Sequence, residues 1–417
     1  MNRFLRMEFI LKHITPTHWL AGIFLFLLTQ PTYSQNRTGL IYGKITTSSN
    51  QYEGIIRWGK EEAIWLDYFN ASKKDHNTYR EYEQKSDGSQ VSWLELDWDI
   101  ASIWQDRNTT HQFNCQFGDI KSIKVLARKS ARLQFKNGWE IDVMGEEFND
   151  MGEKIEIQDK ELGTMLLDWN RIDKIEFASA PKNVPPVKPL FGTVETTRRE
   201  KFTGFIQWDR DERIATDKLD GQTKDGGISM PFAEIKSIER KGSGCITILK
   251  SDREFMVTGS NDVNEANRGL VVLIPGKGQV DIPWGSFKKV VFSDKEESSP
   301  AYDQFPTPKP LTGKVYLFED KEYSGTLVYD FDETLDLETL EGSDNGLRYT
   351  IPFRNIKSIR PKNEAYTQVE LRNGESLLLG GSNDVSTGNG GVLIFQKGKK
   401  EPIHVTRRKI DQILFEP

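Results

Sequence analysis

This chain of 417 residues has few histidines and cysteines: it contains five histidines and two cysteines. So few ligand side chains leave little material for zinc or iron–sulfur chemistry. The formal net charge of −6 argues against a nucleic-acid partner, because phosphate binding depends on clustered lysine and arginine. Glycine and proline, at 34 and 17 residues, stand at ordinary levels, which excludes collagen-like and low-complexity chains.

Motifs of common catalytic sites are also missing. The chain has no GxSxG, no HExxH, no phosphate-binding P-loop and no GxGxxG placed between a strand and a helix. Beyond the N-terminal region its histidines are His76, His111 and His404, at unmatched positions. We therefore predict no catalytic residue, and a hydrolase with an unrecognised site is the weakest alternative.

The N-terminus has the pattern of a signal peptide over residues 1–34. Arg3, Arg6 and Lys12 precede the apolar run WLAGIFLFLL, which is shorter than the ~20 residues of a lasting membrane anchor. Small residues before Gln35 predict cleavage there, and no cysteine for a lipid anchor follows the run. We expect a periplasmic or extracellular protein without a transmembrane anchor after cleavage; an uncleaved anchor is the alternative.

The two cysteines, Cys115 and Cys245, both remain after such a cleavage. An exported protein can pair them in a disulfide. Each also lies within an alternating apolar run, where cysteine behaves as a small buried hydrophobe. Both interpretations stay open, with buried free thiols preferred.

Internal similarity is the strongest signal in the sequence. The letters IKSI occur at 120–123, 235–238 and 356–359, and GSNDV occurs at 259–263 and 381–385. Such spacing predicts tandem copies of one unit. We expect segment 1 at 35–178, segment 2 at 190–293 and segment 3 at 311–417, with proline-rich linkers at 179–189 and 294–310.

Within each segment the apolar period is two, and Asn-Gly separates alternating runs at 137–138 and 373–374. This pattern is typical of short strands joined by hairpins. The predicted fold class is all-β, with three copies of a unit that each comprise two small meander or barrel-like halves. The halves resemble SH3-like or Sm-like barrels in shape, and this analogy implies no function.

Segment 1 carries an insertion at about 70–110 that is rich in aromatic residues. Insertions lie at surfaces, and loops often carry function. The spacing fits a helix and a strand about equally well. Its candidate binding residues are Tyr79, Tyr82, Trp93, Trp98 and Trp104.

A second set of aromatic candidates, Trp58, Trp208 and Tyr329, recurs at one strand position before acidic turns. Core packing is the first interpretation, and an exposed row that contacts a sugar or a peptide is the second. The carboxylates that follow, such as Asp211 and Glu212, are expected to lie in solvated turns.

The GSNDV loops supply clustered side-chain oxygens. The candidate residues are Asn261, Asp262, Asn264, Asn267, Asn383, Asp384 and Asn389. Calcium takes six to eight oxygen ligands, whereas Asn and Asp also form local turns. We favour structural turns and keep calcium as the alternative; segment 1 has GEEFND here, which predicts a lost or different role.

These observations predict an exported, non-catalytic interaction or scaffold module that binds an envelope or extracellular protein. The alternative is a glycan-binding module, with calcium assisting. No other cofactor is expected.

Overall fold

The computed structural model describes residues 39–73, 112–145, 150–182, 184, 187–293 and 299–417. The described residues all belong to one compact unit. The predicted signal peptide and the aromatic residues of the insertion lie outside the described residues. Within the described part, no helix is long and apolar enough to cross a membrane.

The fold class is all-β, as predicted, and the strands pair in antiparallel sheets. In segment 1 the strands are β1 (Tyr42–Thr47), β2 (Gln51–Trp58), β3 (Tyr68–Lys73), β4 (Gln112–Gln116), β5 (Ile120–Ala127), β6 (Ser130–Phe135), β7 (Glu140–Met144), β8 (Lys154–Asp159), β9 (Gly163–Asp168) and β10 (Ile172–Phe177). They form one sheet in the order β4-β3-β7-β6-β5-β10-β1-β2-β8-β9.

Segments 2 and 3 share an 18-stranded sheet, with β13 and β14 as a separate pair. The strands of segment 2 are β11 (Phe191–Thr196), β12 (Lys201–Trp208), β13 (Lys218–Thr223), β14 (Gly226–Pro231), β15 (Ile235–Lys241), β16 (Gly244–Leu249), β17 (Glu254–Val257), β18 (Leu270–Ile274), β19 (Gly278–Ile282) and β20 (Phe287–Phe292). Those of segment 3 are β21 (Thr312–Leu317), β22 (Glu322–Tyr329), β23 (Thr339–Asp344), β24 (Leu347–Pro352), β25 (Ile356–Pro361), β26 (Tyr366–Leu371), β27 (Ser376–Gly380), β28 (Val392–Phe395), β29 (Ile403–Val405) and β30 (Ile410–Phe415).

Helical structure in the described part is limited to single 3₁₀ turns. They are Phe117–Asp119, Trp169–Arg171, Phe232–Glu234, Asn261–Val263, Trp284–Ser286, Tyr302–Gln304, Phe353–Asn355 and Arg407–Lys409. Strands form because side chains alternate between core and solvent: in β6, Ala131, Leu133 and Phe135 are buried while their neighbours are half-buried.

The first hairpin of each segment contains facing glycines. Gly43 faces Gly54, and Gly192 faces Gly204. A Cβ at Gly204 would lie 2.3 Å from the carbonyl oxygen of Leu273 in β18, the strand that pairs with β12. The strands therefore approach too closely for any larger residue.

The predicted Asn-Gly hairpins are present, and each turn contains one residue in the left-handed region. Only the glycine has positive φ, at +88° for Gly138 and +91° for Gly374. The amide of Gly138 donates to the Phe135 carbonyl, which gives a three-residue loop with glycine in the left-handed position. In segment 2 Asp252 takes that position, at φ +61°.

The segments share their cores. The apolar cluster of segment 1 also contains Phe205 and Leu273 from segment 2, Leu335 and Leu337 from segment 3, and Phe305 from the linker. Segments 2 and 3 merge into one cluster. Each segment thus buries part of its apolar surface against the others.

Segments 2 and 3 are also joined through their backbones. Strands β19 and β24 pair antiparallel, with the partners Gln279↔Thr350, Val280↔Tyr349 and Asp281↔Arg348.

Candidate functional site

The aromatic residues that end β2, β12 and β22 lie in the core. Trp58 and Trp208 have no exposed surface, and Tyr329 is 4% exposed. The indole of Trp208 meets Trp284 and Phe287 edge-on. No ring face of the three is open to a ligand, so the hypothesis that they bind one does not hold.

A tight turn follows each of these aromatic residues. The amide of Trp208 donates to the carbonyl of Glu212 at 2.8 Å, and Asp209 and Arg210 take positive φ. Trp58 and Tyr329 make the same bond to Glu62 and Glu333. The acidic turns are therefore held against the core by the backbone.

The sequence predicted that the carboxylates of these turns are solvated, but the structure buries some of them. Glu62 and Glu333 are each 8% exposed. Burial, followed by repulsion from nearby carboxylates, raises the pKa of both well above the usual range. For the same reasons, and through a hydrogen bond with Asp211, the pKa of Glu212 is raised to about 10.

The candidate loops bond to the aromatic residues and to neighbouring strands. The carbonyl of Asp262 accepts from the Trp208 indole at 2.9 Å, and its carboxylate accepts from the Asp220 amide at 2.6 Å. In segment 3 the carbonyl of Asp384 accepts from the Tyr329 hydroxyl, and its carboxylate accepts from the Glu341 amide. Both loops are thereby tied to the core.

The asparagines of these loops make local bonds. Asn264 and Asn267 accept from the amides of Ala266 and Gly269, each at 2.8 Å. Asn261 donates to the Asp209 carboxylate. These are the bonds of turn-forming side chains, and they occupy oxygens that calcium would need.

Segment 3 repeats part of this pattern. Asn389 donates to the Asp384 carbonyl and accepts from the Gly391 amide. Asn383 is exposed. No cluster of metal-ligating residues is found within the described residues.

Segment 1 retains the loop contact, although its sequence predicted a lost or different role. The carbonyl of Asp150 accepts from the Trp58 indole at 2.6 Å, and its carboxylate accepts from the Asn70 amide at 2.5 Å. The sequence indicates this contact through Asn-Asp followed by an apolar residue, a pattern that segment 1 shares with segment 2. The apolar residues, Met151 and Val263, are both buried.

Burial shifts the pKa in one direction for the three aspartates whose carbonyls accept from Trp58, Trp208 and Tyr329. It raises the pKa to about 7 for Asp150, to about 6 for Asp262 and to about 8 for Asp384, although amide donors oppose the shift. Each of these carboxyl groups therefore binds a proton more tightly than an exposed aspartate does.

A second acid in each segment links it to another segment. The carboxylate of Asp217 accepts from its own turn amides and pairs with Arg57 of segment 1 at 2.7 Å. Asp67 caps its own turn in the same way and pairs with Arg213 of segment 2 at 2.6 Å. In segment 3, Glu338 pairs with Lys73 of segment 1. Sequence analysis missed these residues.

A concave site lies where residues of all three segments meet. This cleft has a volume of about 630 Å³. Its lining residues are Glu61 from segment 1, Arg210, Arg268, Asp281 and Pro283 from segment 2, and Ser343, Gly346 and Arg348 from segment 3. We call it the arginine cleft.

Asp281 organises the arginine cleft. This aspartate is 4% exposed and holds Arg210 at 3.1 Å and Arg348 at 3.2 Å, one from each of two segments. Gln279 donates to the same carboxylate. The two guanidinium groups are thus fixed on one buried anchor, and their side chains are 36% and 55% exposed.

Not all guanidinium donors are used. Arg268 is paired with Glu61, Asp209 and Asp211. The bonds of Arg348 to side chains run through Nε, and within the described residues its two Nη atoms have no protein partner. Such donors suit a carboxylate, sulfate or phosphate group.

Both cysteines are free and buried. Burial raises the pKa of the Cys115 thiol well above its usual range and that of Cys245 to about 12. Of the two interpretations, buried free thiols are what the structure has.

Comparison of the chain with protein-family models, curated proteins and solved structures finds no match, so its function must be argued from the geometry above.

Proposed function

We propose that this protein is an exported, non-catalytic interaction module that binds an acidic segment of an envelope or extracellular protein in the arginine cleft. The observation that carries the proposal is the pair Arg210 and Arg348, fixed on Asp281 with donors left over. A fixed guanidinium loses little freedom on binding, which favours affinity.

A glycan is the second candidate, and the cleft supports it less well. Sugar-binding sites commonly offer an aromatic face, and no aromatic side chain is among the residues that line the cleft. An acidic glycan with calcium assisting would instead use the carboxylates and the GSNDV loops. The loop oxygens named above are already engaged within the protein.

Binding of fluorescent oligoglutamate and of a carboxylated polysaccharide tests the proposal. Replacing both Arg210 and Arg348 by Gln should weaken oligoglutamate binding at least about tenfold, because a charge-assisted hydrogen bond contributes roughly 1.5–3 kcal/mol. The control is Arg132→Gln, which changes a half-buried arginine of segment 1 that is paired with Asp142. Equal affinity in all three proteins contradicts the proposal, and preferential binding of the polysaccharide supports the glycan alternative.

Export itself is tested by N-terminal sequencing of protein recovered from the envelope or the medium. We expect the chain to begin at Gln35. An intact Met1 on cytosolic protein contradicts export.

We also propose that the three segments are copies of one unit, each of two small SH3-like or Sm-like halves. Equivalent pairings support this: β1 pairs with β2 and β10, β11 with β12 and β20, and β21 with β22 and β30.

A further inference from the structure

Three strands hold equivalent places in the three segments: β9, β19 and β29. Each pairs on one side with the preceding strand, β8, β18 or β28. Those strands in turn pair with β2, β12 and β22, ending opposite Trp58, Trp208 and Tyr329. This register makes Leu166, Asp281 and His404 equivalent residues.

The outer edges of these strands differ. The edge of β19 is occupied by β24 of segment 3. Strand β29 has only three residues and follows Pro402 and the exposed lysines Lys397, Lys399 and Lys400, which discourage pairing.

Strand β9 lacks the short length and the proline of β29, although the exposed Lys160 and Glu161 lie in the turn before it. It has six residues, no proline and no charge before Asp168. Within the described residues it pairs only with β8. Leu162 and Leu166 are 65% and 60% exposed beside it. An uncharged open edge with exposed leucines is a site for pairing with another strand.

A second set of strands at equivalent places consists of β4, β14 and β24. One member, β24, is the strand that pairs with β19 through its outer edge. Strand β4 is covered by segment 3, where Asn114, which is 3% exposed, donates to Glu341. Strand β14 pairs only with β13 among the described residues and carries no charged side chain.

We propose that β9 of one molecule pairs with β14 of a second copy, as β19 pairs with β24 within the molecule. Among the described residues, the longer unpaired edges of β9 and β14 are one of each type, so the pairing is head-to-tail and produces chains or rings of molecules. Transferring the β19–β24 register places Thr164 opposite Ser229, Met165 opposite Ile228 and Leu166 opposite Gly227. This proposal is independent of the arginine cleft.

The register supplies a specific test. Asp281 and Arg348 are directly opposite each other and form an ion pair. Leu166→Asp puts an unpaired carboxylate at the position of Asp281, and Gly227→Arg adds the partner at the position of Arg348. A Cβ at Gly227 has its nearest neighbour at 3.5 Å, so the substitution is accommodated.

Sedimentation velocity of the purified protein over a range of concentrations measures the assembly. We expect the wild type to gain mass with concentration, Leu166→Asp to lose this gain, and the double variant Leu166→Asp/Gly227→Arg to regain it in a salt-sensitive form. The control Leu378→Asp changes an equally apolar residue, 48% exposed on β27, and should assemble as the wild type does.

Circular dichroism and melting curves must first show that every variant is folded. A wild type that stays monomeric at all concentrations overturns the proposal, and leaves the β9 edge to a different protein. Assembly of Leu166→Asp as in the wild type also overturns it. A double variant as dissociated as the single one overturns the head-to-tail register.

Discussion

Replacing Asp262 by Asn should stabilise the protein at neutral pH and leave it unchanged in acid. The carboxylate accepts one amide bond, from Asp220 at 2.6 Å, and an Asn oxygen can accept the same bond. Burial raises the pKa of this carboxyl from 3.8 to about 6, so the folded state binds the proton more tightly than the unfolded state. The stabilisation that proton binding by this carboxyl contributes is therefore fully present below the pKa of the unfolded state. It is lost as the pH rises through the folded-state pKa of about 6.

The size of the effect follows from the shift. One pKa unit corresponds to about 1.4 kcal/mol, so we expect the wild type to lose about 1–3 kcal/mol between pH 4 and pH 7 through this group. Asp262→Asn does not titrate and should melt a few degrees above the wild type at pH 7. Asp262→Ala loses the amide bond and should be destabilised by about 0.5–2 kcal/mol.

Melting curves of the wild type, Asp262→Asn and Asp262→Ala at pH 4 and pH 7, each with calcium and with a chelator, test this prediction. We expect calcium to change none of them. If Asp262→Asn and the wild type have the same melting temperature at pH 7, the argument that burial raises the pKa of Asp262 is refuted. If calcium stabilises the wild type alone, the loop is a metal site.

Three other predictions follow from the packing. Gly204→Ala should destabilise the protein by about 1–3 kcal/mol through the contact with the backbone of β18, whereas Gly285→Ala, with nothing within 4 Å of its Cβ, should be neutral in the same urea titration. Asp67→Ala leaves the buried Arg213 without its ion-pair partner and should cost about 3–5 kcal/mol, measured by thermal unfolding; a cost as small as that of an exposed pair contradicts this. Cys115 and Cys245 should react with a thiol reagent only after denaturation, and rapid labelling of the native protein would count against their burial.

The all-β class was predictable because alternation of apolar residues records directly which face of a strand is buried. The positions of the Asn-Gly hairpins were predictable for the same reason. The turn geometry was not, because Asn-Gly is compatible with both two-residue and three-residue loops, and strand register decides between them.

The candidate site was predicted less well. The Asp262 contact could be anticipated only as a turn, since Trp208, its partner in the core, is distant in sequence. Burial of Glu62 and Glu333 was missed because paired acids resemble a solvated turn when the packing around them is unknown. The arginine cleft joins residues from three segments, and no local pattern reports such a junction.

The ion pairs between segments have a consequence for a molecule whose chain has been cut. Lys73 binds Glu338, Arg57 binds Asp217, and β19 pairs with β24, so each segment contacts the other two through residues outside the linkers. A protease that cleaves both linkers would therefore release no fragment under native conditions. Because the pairing residues differ from one contact to the next, a segment is also not interchangeable with its neighbours.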